Sequence, residues 1–211
     1  MSKVKICGLS RINDIEAVNR VLPDFIGFVF APSRRRVEIS AASILKEKLD
    51  PRIKAVGVFV NEDTETTAEI FRNGIIDMVQ LHGDEDDAYI KRLKDKCGCP
   101  VIKAIGIDDA DGNVLPHTGF QRPDLPSEPD FLLFDTLSGQ RGGTGRSFDW
   151  KILKEHRGLQ FFLSGGLSIG NVAAAIQLLD PFCVDVSSGV ETNGIKDTKK
   201  IEEFISLVRR T

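Results

Sequence analysis

Two turns near the C-terminal end of the chain have the composition of an anion-binding site. Ser164-Gly165-Gly166 follows the apolar run 161–163, and Ser187-Ser188-Gly189 follows the apolar run 182–186. A turn of small residues between a buried strand and a helix exposes backbone N–H groups, and the helix dipole adds to their preference for an anion. Two such turns side by side could hold one phosphate group, although glycine and serine also make ordinary tight connections.

Other reactive side chains stand where apolar runs end. Cys7 ends the first run, Arg34-Arg35-Arg36 follows the second, His82 follows the fourth, and Asp135 ends a later run. Asp135 could have a raised pKa and donate a proton near neutral pH, or it could simply cap a turn. Cys7 is either a functional thiol or a small buried residue. The arginines could hold a ligand carboxylate or form a solvated patch, and His82 could contact a ligand or support the acidic start of the next helix.

The four cysteines indicate neither a disulfide framework nor a metal centre. Cys7 and Cys183 lie in apolar runs typical of core strands, which favours reduced thiols and a cytoplasmic protein. Cys97-Gly98-Cys99 has no second cluster with zinc spacing, so we expect ordinary surface thiols there. No histidine and carboxylate pair with metal spacing appears at the strand ends, so we expect no bound metal.

The elements that must position these residues alternate regularly. Apolar runs indicate strands that start near residues 3, 24, 53, 75, 101, 131, 161 and 182. Helical spacing or capping residues indicate helices at 13–21, 40–49, 63–73, 85–97, 150–156, 168–179 and 197–210. This pattern predicts an α/β fold, a single eight-stranded parallel β/α (TIM) barrel, whose strands end at the active face. An open doubly wound sheet is disfavoured because no Gly-x-Gly-x-x-Gly follows the first strand.

Two stretches depart from this alternation. Residues 108–129 contain four prolines and no helical period, which predicts an irregular crossover between the fifth and sixth strands. Residues 137–147 contain four glycines, which is typical of a lid or of a loop that approaches a ligand closely.

Length and charge exclude several classes of protein. The 211 residues show no linker, so one domain over 1–211 is expected. The net charge of -3 lacks the basic excess of a nucleic-acid-binding protein, so no nucleic-acid partner is expected. No apolar run approaches the roughly 20 residues of a membrane span, and the first residues do not form a signal peptide, so no membrane association is expected.

Seven motifs in order resemble the phosphoribosylanthranilate isomerase family of tryptophan biosynthesis. The resemblance runs from residue 3 to about residue 208 and is weakest over 108–129. The motifs are Lys5-Ile6-Cys7-Gly8-Leu9, Gly27-Phe28-Val29-Phe30 with Pro32 and Arg36, Gly57-Val58-Phe59-Val60-Asn61, Val79-Gln80-Leu81-His82-Gly83, Asp135-Thr136 with Gly142-Gly143-Thr144-Gly145 and Phe148-Asp149-Trp150, Leu163-Ser164-Gly165-Gly166-Leu167, and Asp185-Val186-Ser187-Ser188-Gly189-Val190-Glu191.

The resemblance implies an Amadori rearrangement without a cofactor. In it, N-(5-phosphoribosyl)anthranilate becomes 1-(2-carboxyphenylamino)-1-deoxyribulose 5-phosphate. By motif position, Asp135 is expected to be the general acid, Cys7 the general base and Arg36 the residue that holds the anthranilate carboxylate. The expected partner is therefore a small phosphorylated substrate, bound by a monomer or a homodimer. The expected phosphate-binding and other substrate-binding residues are Gly165, Gly166, Ser187, Ser188, Gly189, His82 and Asp185.

Three alternatives use the same kind of fold. The related isomerase of histidine biosynthesis has an aspartate where this chain has Cys7, and it needs a second phosphate site for which strands three and four offer no Gly-Ser turn pair. A ribulose-phosphate epimerase is disfavoured because the metal ligands are missing. A non-catalytic binder of phosphorylated ligands is disfavoured by the presence of both Cys7 and Asp135.

Overall fold

Eight parallel strands form a closed barrel in this computed structural model, which describes residues 1–108, 114–115, 125–137, 149–156 and 158–211. The barrel strands are β1 (Lys3–Cys7), β2 (Phe25–Val29), β3 (Lys54–Phe59), β4 (Met78–Leu81), β5 (Val101–Asp108), β7 (Phe131–Leu137), β8 (Phe161–Leu163) and β9 (Cys183–Val186). Each barrel strand pairs in parallel with the next one along the chain, and β9 pairs with β1. The predicted parallel β/α barrel is therefore confirmed.

Helices connect most of these strands. They are α1 (Ile12–Val21), α2 (Ile39–Glu47), α3 (Thr64–Arg72), α4 (Asp87–Cys97), α5 (Val172–Leu179) and α6 (Thr198–Arg210), with a 3₁₀ helix at Trp150–His156. The side chains of Asp63, Asp86 and Asp197 accept backbone N–H groups at the starts of α3, α4 and α6. The described part of the crossover between β5 and β7 contains no helix, only the two-residue strand β6 (Val114–Leu115), which pairs antiparallel with β5.

Four predicted element starts were wrong. Helix α4 begins at Asp87 rather than at residue 85, because Asp86 is its capping residue. The fourth strand starts at Met78 rather than near 75, because Asp77 first turns back to accept the backbone N–H of Ala55. Helix α2 includes the residue predicted to cap it and begins after Glu38. Helix α5 begins four residues later than predicted, because the side chain of Asn171 accepts the N–H of Ser168 and holds this segment in a loop.

Two apolar clusters explain why the strands are so continuously hydrophobic. The larger cluster joins the strands to the surrounding helices, and the smaller one fills the inside of the barrel. Phe162 on β8 contacts Phe25 on β2 with 5.5 Å between ring centroids, although two strands separate them in the sheet. Such a contact is possible only across the barrel interior, which is therefore packed rather than open.

A polar layer lies inside the barrel beyond this apolar cluster. Lys5 on β1 reaches Gln80 on β4, again across the interior, and it also reaches Asp185 on the neighbouring β9. Successive side chains of a strand alternate in direction, so Cys7 and His82, two residues further on, also lie on the inner side. The interior thus changes from apolar to polar towards the carboxyl ends of the strands.

The Cys97-Gly98-Cys99 segment was only partly predicted. Cys97 is half-buried, whereas Cys99 is buried in the larger apolar cluster because it leads directly into β5. The prediction of surface thiols was therefore wrong for Cys99. Within the described ranges, we find no helix that combines the length and the apolar character of a membrane span.

Candidate active site

Cys7 lies half-buried at the carboxyl end of β1. Space for its thiol comes from Gly27 on β2, where a Cβ atom would stand only 2.6 Å from Cys7 Sγ. The carbonyl oxygen of Cys7 accepts a hydrogen bond from Ser187 Oγ at 3.0 Å. The structure therefore joins the end of β1 to the small-residue turn after β9.

The surroundings of Cys7 act on its thiol in opposite directions. Burial raises the pKa of Cys7 above that of an ordinary thiol, and this effect outweighs the others. The ammonium groups of Lys5 and Lys196 oppose it, because nearby positive charge favours the thiolate. Cys7 is therefore a thiol that becomes a strong base once its proton is lost.

Asp135 lies within β7, at the same end of the barrel as Cys7. Its Oδ1 accepts the backbone N–H of Thr136 at 2.8 Å, and its Oδ2 lies 3.4 Å from His82 Nε2. The side chains of Asp135 and His82 are 22% and 20% exposed, so a ligand can reach both. The structure brings together these two residues, which sequence spacing alone had selected separately.

A chain of polar contacts connects this pair to the opposite side of the barrel. His82 Nδ1 lies 3.0 Å from Gln80 Nε2, and Gln80 Oε1 accepts from Lys5 Nζ at 2.9 Å. Lys5 Nζ also donates to Asp185 Oδ2 at 2.7 Å. Burial alone would lower the pKa of Lys5, but Asp185 and Cys7 outweigh burial and raise it, so Lys5 is an ammonium at neutral pH.

The three arginines after β2 have different surroundings. Arg34 and Arg35 donate to the carboxylate of Glu191. Arg36 instead lies 3.4 Å from Glu38, and its side chain is 51% exposed. Among the described residues, Arg36 is therefore the one of the three arginines that does not contact Glu191, and its ion-pair partner is an exposed carboxylate.

The second small-residue turn packs against the residue that follows the first turn. A Cβ atom at Gly189 would lie 2.0 Å from the carbonyl oxygen of Leu167, so only glycine allows this approach. Gly165 and Gly166 precede a loop rather than a helix, because α5 begins only at Val172, and the second turn leads into the three-residue 3₁₀ helix Ser188–Val190. The two turns therefore follow neighbouring strands, as predicted, but the helix expected directly after the first turn begins only at Val172.

Several polar residues of the site were missed by sequence reasoning. Lys5 and Gln80 are fully or nearly fully buried within apolar runs, and Glu191 and Lys196 form a buried ion pair at 2.7 Å beside Ser187. A recognisable signal existed for the first two, since each stands two residues before Cys7 or His82 and therefore on the same face of its strand. The glycine-rich stretch 138–148 lies outside the described residues.

Within the described parts of the chain, no group of three or more histidine, cysteine, aspartate or glutamate side chains is arranged to hold a metal ion. The chemistry available at the strand ends is that of a thiol, a carboxyl group, an imidazole and buried ammonium groups. These are groups that transfer protons.

Comparisons with known proteins point to one enzyme family. The family model described as N-(5'phosphoribosyl)anthranilate (PRA) isomerase matches residues 4–207. N-(5'-phosphoribosyl)anthranilate isomerase of Clostridium acetobutylicum is 46% identical over 214 residues, which cover 100% of this chain and 99% of that one. The crystal structure of phosphoribosyl anthranilate isomerase from Thermotoga maritima has a TM-score of 0.83 and 33% identity, with 100% of each chain covered. Another similar structure, with a TM-score of 0.80, 31% identity and 100% of each chain covered, holds reduced 1-(o-carboxyphenylamino)-1-deoxyribulose 5-phosphate.

Proposed function

Because the chain belongs to the N-(5'-phosphoribosyl)anthranilate isomerase family, we propose that it performs this rearrangement with Asp135 as general acid and Cys7 as general base. The observation that carries the proposal is the position of the two groups. Both stand on inner faces at the carboxyl end of the barrel, and a single chain of polar side chains runs from Lys5, beside Cys7, to His82, beside Asp135.

The first step opens the ribose ring. The protonated carboxyl group of Asp135 gives its proton to the ring oxygen while the bond between that oxygen and the first sugar carbon breaks. The electron pair of the anthranilate nitrogen forms an iminium ion with that carbon. The side chain of Asp135 is partly exposed, so a substrate oxygen can approach its carboxyl group.

The second step removes a proton from the second sugar carbon. The positive nitrogen makes this proton acidic, and the Cys7 thiolate takes it. The resulting enolamine then tautomerises to the ketone. The product is an isomer of the substrate, so the reaction needs no external oxidant or reductant. Lys5 and Lys196 support this step because their positive charge stabilises the thiolate that must form.

Substrate groups distant from the reaction hold the sugar between the two catalytic residues. The adjacent turns at 164–166 and 187–189 hold the phosphate through their backbone N–H groups, and Arg36 holds the anthranilate carboxylate. Asp185 is 4% exposed, and among the described residues its Oδ1 has no hydrogen-bond partner. We assign this oxygen to a sugar hydroxyl, because a buried acceptor without a donor costs free energy until a ligand supplies one.

Turnover by site variants tests these roles. Cys7→Ser and Asp135→Asn should each lower kcat by about 10² to 10⁴-fold, because each removes one proton-transfer group, while the variants still bind a reduced product analogue. The measurement is the loss of anthranilate-adduct fluorescence with purified protein. Cys97→Ser changes another half-buried cysteine outside the site and should retain wild-type turnover. A near-wild-type rate in Cys7→Ser or Asp135→Asn would contradict the corresponding role.

A further inference from the structure

The contacts inside the barrel fix the direction of each hydrogen bond. The Lys5 ammonium carries only donors, so the Gln80 atom 2.9 Å from it must be the amide oxygen. The NH₂ group of Gln80 then faces His82 Nδ1 at 3.0 Å. Since an amide NH₂ can only donate, Nδ1 must be the acceptor, and the proton of a neutral His82 must stand on Nε2.

The direction of this bond has a consequence for Asp135. His82 Nε2 lies 3.4 Å from Asp135 Oδ2, and with its proton in place it presents a donor to the carboxyl group. In the other tautomer, Nε2 would carry a lone pair and could accept the proton of Asp135. That transfer would compete directly with proton transfer to the sugar oxygen.

We propose that Lys5 and Gln80 are positioning residues that hold His82 as its Nε2–H tautomer, so that His82 cannot take the proton that Asp135 delivers to the substrate. This role rests on the proposed function of Asp135, but the tautomer itself does not. Asp185 anchors the far end by accepting from Lys5 at 2.7 Å, and the buried position of Lys5 and Gln80 protects both bonds from competing water.

Nitrogen-15 spectroscopy tests the tautomer without any substrate. Long-range proton–nitrogen correlation spectra distinguish an imidazole protonated at Nε2 from one protonated at Nδ1, and the His82→Asn variant identifies the His82 signals. We expect the Nε2–H pattern in the wild-type protein. In Gln80→Glu, the carboxylate should accept from Nδ1 and place a proton there. A wild-type Nδ1–H pattern, or an unchanged pattern in Gln80→Glu, would overturn the proposal.

Kinetics of two matched variants test the consequence for catalysis. Gln80→Met keeps the length of the side chain but removes the hydrogen bond to His82 Nδ1, so both tautomers of His82 become possible. We expect kcat to fall about tenfold, which corresponds to the free energy of one hydrogen bond. Gln80→Glu should lower kcat further, because His82 can then hold the Asp135 proton, while KM stays within about twofold in both variants. An unchanged kcat in Gln80→Glu would overturn the catalytic part of the proposal. If the wild-type protein does not convert the substrate, the proposed function is wrong. The nitrogen-15 spectra then still show whether Lys5 and Gln80 hold His82 as its Nε2–H tautomer.

Discussion

Among single residues, Cys7 sets the clearest pH dependence. Burial raises the pKa of its thiol, so the thiolate fraction should rise only above the ordinary cysteine value of about 8.5. Because iodoacetamide reacts with the thiolate, its rate of reaction with Cys7 should increase with pH and reach half its maximum above that value. In Lys5→Met, the loss of a positive charge should move the midpoint to still higher pH. Mass spectrometry of the Cys7 peptide measures the rate separately from the other thiols.

A charge change at the surface provides the control for this titration. The side chain of Lys54 is 56% exposed and lies outside the site, so Lys54→Met should leave the Cys7 midpoint unchanged. A midpoint below the ordinary cysteine value in the wild-type protein, or the same midpoint in Lys5→Met and wild type, would contradict the inferred balance of burial and charge.

The same residues show what sequence can reveal of a site. Cys7, His82 and Asp135 were predictable because they end apolar runs, and the strand ends of a parallel barrel share one face. Lys5 and Gln80 were not selected, because a polar residue within an apolar run is ordinarily assigned to the outside of a sheet. Their position two residues before Cys7 and His82 indicates the inner face of each strand, but the partners that make their burial possible lie 75 and 180 residues away along the chain.

Among the elements, the hairpin of β10 (Glu191–Thr192) and β11 (Ile195–Lys196) stabilises the active end of the barrel. Glu191 accepts from Lys196 and Arg35, each at 2.7 Å, and Lys196 also donates to the carbonyl oxygen of Ser187 at 2.8 Å. Burial acts to raise the pKa of Glu191, but these two cations outweigh burial and lower it. The hairpin therefore connects the loop after β2 with the turn after β9.

Replacing this carboxylate should destabilise the fold in a pH-dependent way. Glu191→Gln should lower the free energy of unfolding by about 2 kcal/mol at pH 7, because it leaves buried cations without their anion. A carboxylate with a lowered folded-state pKa contributes its stability above the unfolded-state value of about 4.3 and loses it as pH falls through the folded-state value. The difference between wild type and variant should therefore shrink below about pH 4, as urea denaturation at several pH values can measure.

The matched control removes an exposed carboxylate near the same loop. Glu38 Oε1 lies 3.4 Å from Arg36 Nε, and the side chain of Glu38 is 72% exposed. Glu38→Gln should therefore leave the free energy of unfolding nearly unchanged. An equal loss in both variants, or a Glu191→Gln loss that persists in acid, would show that the hairpin does not act through its charge.

Element boundaries were predictable where one local rule dominated. Asp63 and Asp197 placed the starts of α3 and α6, and the apolar runs placed the starts of seven of the eight barrel strands within one residue. Helix α5 was misplaced because Asn171 and Ser168 form a loop through their own hydrogen bonds, an alternative to helix that these residue types always offer. The β10–β11 hairpin was missed because two-residue strands carry too little pattern to be recognised.

At the scale of the whole molecule, the barrel separates stability from chemistry along its axis. Its closure was predictable from eight alternating units together with the missing Gly-x-Gly-x-x-Gly motif, which disfavours an open doubly wound sheet. The order of its interior was not predictable, because it depends on which inner residues of different strands meet. Phe162 and its ring neighbours fill one end, and the polar layer around Lys5 leads from them to Cys7 and Asp135 at the other.

Truncating the apolar end should therefore reduce stability and leave catalysis nearly intact. Phe162 is fully buried, with the rings of Phe25, Phe131 and Phe182 at 5.5, 5.6 and 5.6 Å, so Phe162→Ala should lower the free energy of unfolding by about 3–5 kcal/mol. Where the variant is folded, kcat/KM should stay within about twofold of wild type, because the polar layer retains its own hydrogen bonds. Phe182→Ala, at the partly exposed margin of the same cluster, should lose less stability because water can fill its place. Urea denaturation measures the free energy of unfolding, and steady-state turnover measures kcat/KM. A large loss of kcat with little loss of stability would mean that the apolar end positions the catalytic residues directly.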